Sequence, residues 1–286
     1  MSDETEPRRG APAGFLRFGA ELQVLLVTKG HPFERDPFFA VFESWPGIAC
    51  TAVEQPAAQA FFTPSAAEPY DAIVLYDMPG IEFRSGAGPV FHPPPPSFVK
   101  GFRELLEHGQ GLVFLHHAIA GWPAWPEYAE ILGGRFLYEP GTVRGRDLPC
   151  SGYRHGVKHR VSVVDPVHPV LEGLGDGFEI EDELYLFEAF ENDVVPLLRS
   201  DYEFVDENFH SAALAVRGEM FSRRDWSHPP GTNLVGWAHR YGQSPIVTLL
   251  SGDGPTAYAN PAFRKLVENA VRWVASPEAH AWARSG

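Results

Sequence analysis

The chain has 286 residues, 44% of them hydrophobic, and 37 acidic against 23 basic side chains give it a formal charge of −14. That apolar fraction excludes a globally disordered chain, and the acidic balance argues against nucleic acid or an anionic lipid surface as partner. Cys50 and Cys150 make neither a disulfide framework nor a zinc module. No apolar run approaches the roughly 20 residues of a bilayer span, so a cytoplasmic setting without a membrane partner is expected.

Residues 1–19 mix charge, Pro and Gly without a period and read as a flexible leader. Residues 20–276 read as one α/β domain, near the upper size of a single core, and residues 277–286 as a C-terminal tail. Residues 22–29 (LQVLLVTK) predict the first strand, almost continuously apolar, as a strand covered on both faces would be. Residues 48–53 are a weaker strand candidate, and 72–76 (AIVLY) a clear one.

Residues 78–97 hold Gly80, Gly86, Gly88 and four consecutive prolines after His92, which exclude a regular helix or central strand. They predict a stiff loop that either roofs a pocket or is a surface insertion. Ser97 then caps an expected helix carrying Phe98, Phe102, Leu105 and Leu106, closed by Gly109. Residues 112–115 (LVFL) form another strand, and 126–132 a short helix ended by Gly133-Gly134. Residues 233–239 and 245–250 flank a connection of hairpin length. The last helix has Asn260 as cap, Pro261 at its first position, and a stripe of Phe263, Leu266, Val267, Ala270, Val271 and Val274 that stops at Ser276-Pro277.

Four of the apolar runs end in His or Asp beside a turn: at Gly30-His31, at Asp77, at His116-His117 and at Ser251-Gly252-Asp253. Parallel strands would bring these ends to one edge of the sheet, where open α/β folds bind ligands. His116 and His117 point to opposite faces of an extended strand, so one is a candidate general base and the other structural. Either is also readable as a hydrogen-bonded packing residue. Asp253, between Gly252 and Gly254, orients the base or merely caps its own turn.

His116, His117 and Asp253 are thus the candidate catalytic groups. His31, with one of the pair and Asp253, makes a mixed N/O set that Zn²⁺ or a similar divalent ion accepts, so His31, His116 and Asp253 are the candidate metal ligands; no HExxH or calcium loop accompanies them. For substrate binding the candidates are His31, Asp77, Trp122 (sugar stacking or core), Glu183 and Gly252, which allows close approach. Glu183 belongs to the crowded Glu181-Asp182-Glu183, readable as a poised acid or a solvated strand entrance. His155, Lys158 and His159 read as rim residues, and His168 as structural.

Phosphate-loop and dinucleotide motifs are lacking, so no nucleotide cofactor is expected: either none or a divalent metal. Without a Gly-x-Ser-x-Gly elbow, acyl transfer is disfavoured.

Gly111-Leu112-Val113-Phe114-Leu115-His116-His117, Tyr128-Ala129-Glu130-Ile131-Leu132-Gly133-Gly134-Arg135-Phe136, His168-Pro169-Val170, Glu181-Asp182-Glu183-Leu184-Tyr185, and Asn260-Pro261-Ala262-Phe263-Arg264 leading to Asn269-Ala270-Val271-Arg272-Trp273 occur in that order. With them the chain resembles the trehalose-utilisation, or ThuA-like, family over about residues 23–275. The resemblance implies a fold like the class I glutamine amidotransferases, a flavodoxin-like three-layer α/β/α sandwich with a mostly parallel sheet and some antiparallel additions. It does not imply their activity, since the expected cysteine is absent. Where the family often ends its late strand with Leu-Gly-His-Asp, this chain has Leu250-Ser251-Gly252-Asp253, keeping the aspartate and not the histidine.

The expected function is an enzyme of carbohydrate metabolism moving a proton on a small sugar or keto-sugar, as an isomerase or epimerase does. The alternatives are a metal-dependent hydrolase of a sugar derivative and a non-catalytic carbohydrate-binding or scaffold protein. A homodimer is the default oligomer.

Overall fold

The computed structural model describes residues 19–84 and 87–285. The leader expected at 1–19 therefore lies, but for Gly19, outside the described residues. Leu22–Lys29 (β1) pairs in parallel with Ile48–Glu54 (β2) on one side and Ala72–Asp77 (β3) on the other, and Gly111–Leu115 (β4) continues in parallel from β3. The sheet is completed by Gly152–Val163 (β5), Gly177–Leu186 (β6), Val195–Ser200 (β7), Leu234–Tyr241 (β8) and Ser244–Leu249 (β9). Their order across it is β6-β5-β7-β8-β9-β4-β3-β1-β2, with the short strand His210–Ser211 pairing β5 off this path.

β9 runs parallel to β4, so five adjacent strands share one direction. Beyond β9 every pairing is antiparallel, and β8, β7, β5 and β6 form a wing on the parallel core. Val24–Val27 in β1 and Ala72, Ile73 and Val74 in β3 are wholly buried, which requires cover on both faces of the sheet. Helices Arg35–Glu43 (α1), Pro96–His108 (α2), Pro126–Leu132 (α3), Pro261–Val274 (α4) and Pro277–Arg284 (α5) are the longer elements of that cover. This is the expected α/β/α sandwich, with the antiparallel additions gathered at one end.

Local sequence explains the boundaries. Asn260 Oδ1 accepts from the Ala262 and Phe263 amides, fixing the start of α4, a cap worth about 1 kcal/mol. Gly109 and Gly133 take the left-handed conformation that ends α2 and α3. The β8–β9 hairpin is tighter than expected: Tyr241 pairs with Ser244 across a turn of Gly242 and Gln243.

Two further expectations are corrected. α2 begins at Pro96 with Pro95 at its cap, so Ser97 lies inside the helix and caps nothing; the fixed φ of Pro96 suits a first helical position. Residues 277–284, read as a tail, form α5, capped by the Ser276 hydroxyl. Ala279 and Ala283 are buried there, and Trp282 packs on Trp273 of α4.

Candidate active site

The four parallel strands β1, β3, β4 and β9 deliver His31, Asp77, His116-His117 and Asp253 to one edge of the sheet. They are not equivalent there. β4 ends at Leu115, and His116 turns out of the strand with φ +47 into a 3₁₀ turn, His116–Ala120. The two histidines therefore diverge at a corner, with ring planes 87° apart.

His116 points toward the wing. Its Nδ1–H donates to the Leu250 carbonyl at 2.7 Å. Its Nε2 lies 2.7 Å from the Tyr185 hydroxyl, 3.0 Å from Glu183 Oε2 and 3.4 Å from Asp253 Oδ1. His155 approaches the other oxygens of those carboxylates, its Nδ1 being 3.4 Å from Glu183 Oε1 and 3.7 Å from Asp253 Oδ2. Behind the cluster the buried Asp182 accepts from the amides of Gly252, Asp253 and Glu183. Tyr76 donates to the Gly252 carbonyl and Tyr258 to that of Asp253. The 252–253 turn is thus gripped from both sides.

These contacts set the charges. Burial pushes the His116 pKa down, but hydrogen bonds to Asp253 and Glu183 outweigh it and hold the ring well above its ordinary value. Burial alone would raise Asp253; hydrogen bonds from His116 and His155 bring it far below the usual carboxylate range. Asp253 raises His155. Burial raises Asp182 to about 6. His31 is lowered, first by burial and then by His116.

A pocket of about 230 Å³ opens over this cluster, lined by His31, His155, Glu183, Tyr138, Tyr153 and Tyr185 together with Phe83, Phe136, Ala212, Ala215, Val216 and Met220. A larger hollow, about 480 Å³, lies beside Asp71, Gly111 and His280 at the opposite edge. It gathers no comparable cluster, so chemistry rather than size identifies the site. Phe83 comes from the Pro- and Gly-rich 78–97 segment, which folds as a short hairpin of Ile81–Glu82 with Val90–Phe91 and supplies part of the pocket wall.

Several expected site residues are placed elsewhere. His117 is 2% exposed, wedged against His31 and Tyr76 with ring centroids 4.6 and 4.2 Å away. Its ring nitrogens form no regular hydrogen bond, only the Tyr76 backbone acting on them, and it does not line the pocket. Asp77 is 1% exposed and bonded to Gln55 Nε2, so it is an internal residue of the sheet edge. Trp122 packs on Phe98 at 5.4 Å and belongs to the core. Gly252 shapes the turn through its φ of +113 and does not touch the pocket. Glu183 is no solvated strand entrance: β6 runs through it, and both Asp182 and Glu183 are 5% exposed. The converging trio of donor atoms is His116, Glu183 and Asp253, with Glu183 in the place expected for His31.

His155, read as a rim residue, faces the pocket. β5 loses register with β6 between Arg154 and Val157, and Gly156 in that irregularity has φ +64. A bulge of this kind re-aims a side chain. The sequence signal was a His-Gly pair inside a strand-like stretch.

Arg135 explains another quoted motif. Its guanidinium donates to the Gly121 and Trp122 carbonyls, tying down the turn after His117, while Phe136 beside it lines the pocket.

A family model described as ThuA, trehalose utilisation, matches residues 24–274. The chain belongs to the ThuA family. Among solved structures it is similar to a ThuA-like protein from Parabacteroides merdae, with a TM-score of 0.60, 18% identity, 89% of this chain covered and 90% of that one. A cytoplasmic protein from Salmonella typhimurium gives a TM-score of 0.54 at 12% identity, covering 88% and 99%. PurLQS from Thermotoga maritima gives 0.50 at 10%, covering 88% and 98%. These likenesses establish the glutamine amidotransferase-like fold of this ThuA chain. No curated protein matches it in sequence. Among the described residues no helix is long and apolar enough to cross a membrane.

Proposed function

We propose that this ThuA chain is an enzyme of carbohydrate metabolism that binds a small sugar or keto-sugar in the pocket and moves a proton on it, as an isomerase or epimerase does. The observation that carries the reading is the convergence of His31, His155 and Glu183 on one wall of a pocket otherwise made of aromatic and small apolar side chains. Aromatic faces cover the C–H surface of a sugar, and a few convergent polar groups orient its hydroxyls. Its small volume suits a monosaccharide unit.

His31 takes the role of general base. It lines the pocket, and no ion pair holds it. His155, gripped by two carboxylates, is the donor that polarises a carbonyl or carries the proton across. His116 and Asp253 act through His155 and Glu183 as positioning residues. Arrangements of this kind contribute roughly 10²–10⁴-fold per acid–base group. The ThuA family's link to trehalose utilisation supports a carbohydrate substrate, and the cytoplasmic Salmonella relative supports the same compartment here.

The test is incubation with a panel of keto-sugars in D₂O, read by NMR and mass spectrometry. Deuterium entering the carbon beside the carbonyl, and its loss in His31→Gln, is the expected outcome. Sugar binding without exchange on any substrate would favour the non-catalytic reading instead.

A further inference from the structure

We infer that His116 Nε2, Glu183 Oε2 and Asp253 Oδ1 form a binding site for one divalent transition-metal ion, with its open side toward the pocket. The argument starts from the ring of His116. Nδ1 faces the Leu250 carbonyl at 2.7 Å, and a carbonyl only accepts, so the ring hydrogen of the neutral form sits there. The lone pair of Nε2 is then directed outward, the arrangement that metal-binding histidines adopt when their other N–H is held by a backbone carbonyl.

That lone pair meets oxygen on every side: Tyr185 at 2.7 Å, Glu183 at 3.0 Å and Asp253 at 3.4 Å. A lone pair facing two carboxylates needs a cation between them. A proton on Nε2 supplies one hydrogen, which cannot serve both carboxylate oxygens, and the Tyr185 hydroxyl brings its own. A divalent ion accepts the lone pair and both carboxylate oxygens at once. With bonds of about 2.0 Å, tetrahedral ligand atoms stand about 3.3 Å apart, which the 3.0 and 3.4 Å separations already approach. One imidazole and two carboxylates suit Zn²⁺, Mn²⁺ or Co²⁺ better than a thiolate-seeking metal.

The second carboxylate oxygens stay with His155, at 3.4 and 3.7 Å, and the Asp182 grip on the 252–253 turn fixes Asp253 before any ion arrives. Three protein ligands leave a coordination position for water or a substrate oxygen. The inference stands apart from the proton-transfer reading, because it concerns binding and not turnover.

The experiment uses the full chain without a histidine tag, stripped with EDTA and titrated with Co²⁺, then competed with Zn²⁺. One equivalent of Co²⁺ giving a visible d–d band that Zn²⁺ abolishes, with a rise in Tm, is expected. Asp253→Asn, at a partly exposed position, and Glu183→Gln should each weaken Co²⁺ binding by about tenfold or more while circular dichroism shows the fold kept. No uptake at millimolar Co²⁺, or uptake that neither variant alters, overturns the site.

Discussion

His31 and His117 lie ring against ring, 4.6 Å apart, yet only His31 borders the pocket. The pair therefore separates a chemical role from a packing role. His31→Gln should lower turnover by about 10²-fold or more with Tm nearly unchanged. His117→Phe keeps an aromatic ring packed on His31 and Tyr76 and should retain activity within a few-fold. Steady-state kinetics on the two variants distinguishes them; equal losses in both would remove His31 from the chemistry.

Asp77 predicts a pH dependence of stability. Burial raises its carboxyl to about 7 from an ordinary 3.8, the Gln55 hydrogen bond opposing only in part. The folded state thus holds a proton that the unfolded chain releases near 3.8. This contribution is fully present below that pH, declines as pH rises toward 7, and is flat above. Asp77→Asn should flatten that slope and gain roughly 1–4 kcal/mol relative to wild type at pH 8, read by urea unfolding at pH 4, 6 and 8.

Asp182 should be costly to change although it touches no ligand. Its two oxygens accept three amides, including those of Gly252 and Asp253. In Asp182→Asn one oxygen becomes a donor facing a donor. A loss of about 1.5–3 kcal/mol is expected, together with lower activity from a displaced Asp253. Thermal unfolding and kinetics should both move; an unchanged Tm would contradict the grip described here.

Deletion of Gly156 tests the bulge. β5 carries one residue more than β6 between the Arg154 and Val157 pairings, so removing it closes the bulge that aims His155 while the pairing on either side keeps its register. His155 should leave the pocket, abolishing activity while far-UV circular dichroism stays close to wild type. Gly156→Ala, with nothing crowding its Cβ, should cost only about 1–2 kcal/mol of left-handed strain.

The parallel core was legible because its strands are short, almost wholly apolar runs ended by turn residues, and the terminal His and Asp marked the edge. The same pattern places His31, His116 and Asp253 at that edge. Trp122 and Asp77 were misplaced for a common reason: a strand end fixes an edge, not the direction in which a side chain leaves it. Trp122 turns inward at φ +43 to meet Phe98. The wing was harder to read, since β5 mixes charged and apolar residues over a bulge, and periodicity fails where register shifts. His155 was undervalued accordingly. Glu183 was recognised, but its burial comes from β6 lying across the edge, a long-range pairing that local pattern does not encode.

The polar cluster straddles a seam. His116 and Asp253 ride on strands that run one way, Glu183 and His155 on the outermost pair that alternate. A change in the twist between these two halves would open or close the gap between the paired groups. Mechanical coupling of this sort makes the site a gauge of sheet geometry, so that a remote substitution in β7 or β8 can retune it without ever approaching the bound molecule.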